Sequence, residues 1–112
     1  MPLNHLRNLP TDTPQVLAQL LPCKTGQVIS MSIFQNDTVQ MTLLSFGAEE
    51  SISEELYFGD TMYYVLEGSL MLRINQQEQH LQTGQVLAVP AGQLHELVAC
   101  EPFKILQITA IK

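Results

Sequence analysis

The chain has 112 residues, of which 46% are hydrophobic and 14% charged, and five basic residues against eleven acidic ones give it a net charge of −6. That length holds one domain with one core, and so apolar a composition excludes an intrinsically disordered chain. The five cations, Arg7, Lys24, Arg73, Lys104 and Lys112, are too few for a nucleic-acid footprint or an anionic-membrane surface.

Residues 1–25 differ from the rest and read as an N-terminal arm or short helix. Thr13 is a candidate cap, Pro14 suits a first helical position, and Val16, Leu17, Leu20 and Leu21 would share one face before Pro22 stops the run. An extended arm docked on the body is the competing reading, because so short a helix is marginal alone. The stretch MPLNHLRNLPTDTPQ has no apolar run of signal-peptide length, and the apolar stretches further on are strand-sized, so a soluble cytoplasmic protein is expected.

From Gly26 to the end, residues 26–112 read as strand after strand. Val28–Phe34 and Val39–Phe46 flank the turn Gln35-Asn36-Asp37; Ile52–Tyr57, Met62–Glu67 and Ser69–Ile74 follow, with Gly59-Asp60 and Gly68 as punctuation. Asn75-Gln76-Gln77 turns into Glu78–Leu81, Thr83-Gly84 precedes Val86–Val89, and Pro90-Ala91-Gly92 leads to Leu94–Ala99 and a closing Phe103–Ile111. About nine short strands at this spacing predict an all-β sandwich or barrel. Open sheet edges are usually defended by lysine, and this chain has three. A closed sheet, or an edge or apolar face covered by a second copy, meets the difficulty, and a homodimer is expected. Cys23 and Cys100 are far apart in sequence and form no CxxC pair, which excludes a multi-bridge scaffold and a cysteine zinc site. Two reduced, buried thiols are expected, with a single disulfide as the alternative.

The segment Gly84-Gln85-Val86-Leu87-Ala88-Val89-Pro90-Ala91-Gly92-Gln93-Leu94-His95 has the form G-x5-P-x-G-x2-H. It resembles the second conserved motif of the cupin superfamily, and Tyr63-Tyr64-Val65-Leu66-Glu67-Gly68-Ser69-Leu70 resembles the end of the first. The resemblance spans about residues 40–110 and implies a double-stranded β-helix, the jelly-roll cupin barrel. Pro90 ends ladder pairing and Gly92 permits a swing at positive φ. His95, Leu97 and Ala99 then share one face, which in cupins looks into the barrel.

Metal-binding cupins resemble one another in a first motif H-x-H-x3-E-x6-G. Anchored on Gly68, the pattern puts Glu55 and Tyr57 where its histidines stand and Thr61 where its glutamate stands, so the metal-binding motif is degenerate. Only His95 and Glu55 remain as good ligands, and Tyr57 would have to lose a proton from a pKa near 10. Glu54 or Glu50 would substitute only through a register slip that turns the strand inside out. No cofactor is expected beyond a weak or adventitious divalent metal at His95 and Glu55. Met31, Met41, Met62 and Met71 read as packing, and His5 and His80 receive no role.

The expected site is a small-molecule pocket in the barrel mouth, lined by His95, Tyr57, Glu55, Thr61 and Tyr63, taking an organic ligand such as a sugar or carboxylic acid without a tightly bound metal. His95 has an equally weighted bland reading, a hydrogen bond to Glu55, Tyr57 or a backbone carbonyl. Two alternatives stand beside the pocket. One is an enzyme, either a metal-dependent dioxygenase or isomerase or a metal-free epimerase with a histidine base and tyrosine acid. The other is a non-catalytic sensor or interaction module, signalled by a pocket filled with side chains.

Overall fold

The computed structural model describes residues 5–111. The first four residues of the arm, Lys112 and the side chain of Glu54 lie outside the described residues. Nine strands follow a single 3-10 turn at Leu17–Gln19: β1 (Val28–Gln35), β2 (Val39–Phe46), β3 (Ser51–Glu55), β4 (Thr61–Glu67), β5 (Ser69–Ile74), β6 (Gln77–Gln82), β7 (Val86–Val89), β8 (His95–Ala99) and β9 (Phe103–Ala110). They form a five-stranded sheet in the order β1-β2-β9-β4-β7 and a four-stranded sheet in the order β3-β8-β5-β6, the two-layer arrangement of a jelly-roll barrel. Among the described residues no helix is long and apolar enough to cross a membrane.

Of the two readings of this segment, the short helix is not observed: the chain follows a docked path with only a 3-10 turn at Leu17–Gln19. Val16 is the N-cap of the 3-10 turn and is exposed, and no side chain caps it, so Thr13 does not play that part. Pro22 and a short apolar run leave too little length for helix cooperativity, and burial decides the conformation instead. Leu9, Leu17, Leu20 and Leu21 pack against Ile29, Met31, Ile33, Met41, Leu43, Leu66 and Leu106 on the outside of the five-stranded sheet. The Lys104 ammonium donates to the Ala18 carbonyl at 2.6 Å and reaches Glu67 at 3.3 Å, and Ser45 Oγ donates to the Pro22 carbonyl at 2.7 Å. Upstream, Leu6 bridges Phe34, Arg7 N–H donates to the Ile33 carbonyl and Gln35 N–H to the His5 carbonyl. The arm thus covers part of the β1 edge as well as an apolar face, which is one of the standard defences of an open strand.

The barrel interior is a second cluster, made by Leu44, Phe46, Tyr63, Val65, Leu70, Leu72, Leu81, Val89, Leu97, Phe103 and Ile105. Phe46 and Phe103 stack with centroids 4.3 Å apart at its closed end. The strand alternation on β8 is as predicted: His95 and Leu97 are buried, Ala99 packs on the core, and Leu94 is exposed. The β5–β6 hairpin turns through Asn75 and Gln76, at φ 51° and 63°, a two-residue loop with both residues in the left-handed region, as a type I′ turn requires. Gly92 adopts φ 78°, the swing its motif position called for. Both cysteines are free, but Cys100 is exposed and Cys23 only partly buried, because Cys100 sits in the bend after β8 rather than on an inward strand position.

Candidate functional site

The paired registers of β2, β9 and β4 place a graded set of side chains on one interior face. Phe46 lies opposite Phe103 and Leu44 opposite Ile105, which in turn faces Val65; then Thr42 lies opposite Gln107, which faces Tyr63; then Gln40 opposite Thr109, which faces Thr61. By the period of two, these residues share the inward face of their strands. The interior therefore runs from aromatic and aliphatic at one end to hydroxyl and amide at the other, and the polar end is the open mouth.

His95 enters from the opposite sheet, where β8 pairs Glu55 of β3 on one side and Ile74 of β5 on the other. Its side chain is enclosed, the residue being 3% exposed. Nδ1 lies 2.9 Å from the Gln93 carbonyl oxygen and Nε2 lies 2.7 Å from the Tyr63 hydroxyl. A carbonyl only accepts, so Nδ1 carries the proton, and in the neutral imidazole Nε2 then accepts from Tyr63. Burial pushes the Tyr63 phenol far above its ordinary value, with the nearby Tyr57 and Glu55 acting in the same direction, so Tyr63 keeps the proton it donates. Tyr63 itself is 0% exposed, and its ring meets the imidazole edge-on at 5.6 Å between centroids. The backbone-carbonyl partner of the bland reading is present, and Tyr63 is the side-chain partner.

Tyr57 lies beyond the end of β3, in the 56–60 loop rather than on the predicted strand, yet its ring stands 6.2 Å from that of His95. Its pKa is raised, chiefly by burial; Gln107 opposes that by donating to the phenol oxygen, and Glu55 adds to it as a nearby charge and as an acceptor of the phenol proton. Thr61 Oγ1 bonds Thr109 Oγ1 at 3.3 Å, and Gln107 Nε2 donates to the same Thr109 oxygen at 3.2 Å. The five residues singled out from the sequence lie near one another, and Gln107 and Thr109 join them, but Thr61, Tyr63 and His95 are buried and of the five only Tyr57 lines the cleft at the mouth. Counting inward from Phe103 in steps of two gives Ile105, Gln107 and Thr109, a change from apolar to polar along one face that was readable in the sequence.

The 56–60 loop is fastened across the mouth. Gly92 N–H donates to the Tyr57 carbonyl at 2.8 Å, Ala110 N–H to the Asp60 carbonyl at 2.9 Å, and Ala91 N–H to Asp60 Oδ1 at 2.8 Å. A Cβ on Gly59 would sit 1.4 Å from the Ala110 carbonyl oxygen, so only glycine lets the loop cross the end of β9. Between loop and strand lies a cleft of about 220 Å³ lined by Gln40, Tyr57, Phe58, Gly59, Thr109, Ala110 and Ile111.

Few side chains at the mouth are free to serve as metal donors. Both His95 nitrogens are committed, Thr61 is bonded to Thr109, the Tyr57 phenol holds its proton, and Glu55 alone is left as a good donor. Among the described residues no three histidine, cysteine, aspartate or glutamate side chains are grouped to hold an ion. Nor do His95 and Tyr63 flank a common space as an acid–base couple acting on one substrate atom would; they bond each other directly.

A family model for the cupin domain matches residues 50–109. The chain belongs to the cupin family. Among solved structures, this cupin is similar to a cupin superfamily protein of Desulfitobacterium hafniense, 43% identical, with a TM-score of 0.94 over 97% of this chain and 100% of that one. A conserved Streptococcus pyogenes protein of unknown function is 24% identical, with a TM-score of 0.93 over 98% and 96% of the two chains, and shares the fold. A curated relative, the tetracenomycin polyketide synthase protein TcmJ of Streptomyces glaucescens, is 39% identical over 49 residues, 43% of this cupin but only 33% of that protein's length.

Proposed function

We propose that this cupin is a cytoplasmic protein that binds a small organic molecule at the barrel mouth without a tightly bound metal. One observation carries the reading: hydrogen-bonding side chains are confined to the one end of an otherwise apolar interior that opens into a cleft. Such a set, a few placed polar groups against an apolar wall, is what ligand sites are built from. The mutually satisfied Tyr63–His95 pair closes the floor, and Thr61 and Gln107 fix Thr109 at the lining. Among the described residues, Arg73 is held between Glu78 and Glu96, and Lys104 lies on the outer face with the Ala18 carbonyl, so neither offers a counter-charge there. Phosphates and nucleotide sugars are disfavoured accordingly. The apolar outer face of β4 and β7, where Met62, Tyr64 and Val86 are exposed, is the surface through which a second copy pairs in this proposal.

The test combines elemental analysis of the purified protein with a thermal-shift screen of small metabolites, repeated on Tyr57→Phe. Stabilisation by a compound that Tyr57→Phe blunts, with metal well below one equivalent, is expected. One equivalent of tightly held iron, manganese, nickel or zinc would defeat the proposal.

A further inference from the structure

Phe58 is 94% exposed, at the tip of a loop whose two ends are tied by backbone hydrogen bonds. A large apolar side chain held in water by a rigid support is not explained by packing against the described residues. It lines the mouth cleft together with Ile111, itself exposed, while Gln40 and Thr109 line the same cleft from the inward faces of β2 and β9. Among the described residues, none that lines the cleft carries a charge, and Asp60 accepts from Ala91 N–H.

We infer that the cleft takes an uncharged molecule with a flat apolar body and a hydroxyl or carbonyl at one end. Phe58 and Ile111 cover the body, and Gln40 and Thr109 meet the polar end. The inference rests on the mouth reading above and narrows its ligand class. The volume, about 220 Å³, is below the ~300 Å³ at which drug-sized sites begin, which limits the body to one or two rings and argues against a protein segment as occupant. Stacking on an exposed ring needs no metal and no fixed charge, and it accounts for a phenylalanine where a solvated loop would carry a polar residue.

The probe is 2-naphthol, followed by its fluorescence in a protein that has no tryptophan. Saturable one-to-one binding is expected. Phe58→Ala should weaken it about tenfold, the loss of one well-placed aromatic contact, while Phe58→Tyr retains it. The anionic analogue 2-naphthoate should bind at least tenfold more weakly, because none of the described lining residues is cationic. Unchanged naphthol affinity in Phe58→Ala, with its melting temperature preserved, overturns the inference, and so does naphthoate binding as tightly as naphthol. If D-glucose binds in a manner sensitive to Tyr57→Phe and naphthol does not bind, the mouth site stands and the apolar-body inference falls. If naphthol does not bind, the inference falls whether or not glucose binds, and the mouth reading is judged by the metabolite screen above. A change of solution mass in Phe58→Ala without naphthol binding assigns the ring to self-association and also overturns the inference.

Discussion

Tyr63→Phe isolates the contact on which the mouth's floor depends. The substitution removes one hydroxyl from a wholly enclosed ring and leaves His95 Nε2 without its partner at 2.7 Å. The space vacated is smaller than a water molecule needs, so solvent does not replace the donor. A net hydrogen bond contributes about 1 kcal/mol and an orphaned buried acceptor costs roughly 1–3 kcal/mol, so a loss of about 2 kcal/mol is expected. At about 4 °C per kcal/mol for a domain of this size, the melting temperature falls by about 8 °C. The assay is urea unfolding of wild type, Tyr63→Phe, His95→Leu and the double variant. Because the two side chains face each other, their effects should be non-additive by about 1–2 kcal/mol. Additivity within about 0.5 kcal/mol would show that the pair does not interact and would refute the account of the floor.

Three further outcomes are expected. Burial raises the Tyr63 and Tyr57 pKa values, whereas tyrosine in the unfolded chain ionises near pH 10. The unfolded state therefore loses protons first, and the stability held below about pH 10 declines as pH rises beyond it; urea midpoints measured upward from pH 8 should fall more steeply for wild type than for Tyr63→Phe, and identical slopes would contradict the burial argument. Gln76 sits at φ 63° in the β5–β6 turn, so Gln76→Gly relieves left-handed strain of about 1–2 kcal/mol against a glycine entropy cost of about 0.5–1 kcal/mol; a melting temperature raised by a few degrees is expected, and a lowered one would argue against the type I′ assignment. Sedimentation or light scattering should find a dimer that Met62→Glu with Val86→Lys converts to a monomer, and an unaltered mass would remove that face as the contact.

The β-rich architecture was legible because strand alternation and turn chemistry are local signals. Three strands, Val39–Phe46, Ser69–Ile74 and Val86–Val89, have the predicted bounds. The G-x5-P-x-G-x2-H stretch was legible for the same reason, since each fixed residue serves a turn or a strand start within a dozen positions. The arm was less so: the sequence left a short helix and a docked extended arm both open, and tertiary burial of Leu17, Leu20 and Leu21 outweighs weak local propensity in favour of a 3-10 turn and an extended path.

By itself, then, the sequence determined the strand count, the inward face of His95, and the departures at positions 55, 57 and 61 from a metal-binding pattern. Only the tertiary structure decided what those side chains do. Tyr63 meets His95 from a strand 32 residues away in the opposite sheet, and Gln107 and Thr109 reach the mouth because β9 lies between β2 and β4. Which hydroxyl satisfies which buried nitrogen, and which phenylalanine is left in water, depend on sheet order and on a loop crossing at Gly59. These are long-range geometric facts that no local period encodes.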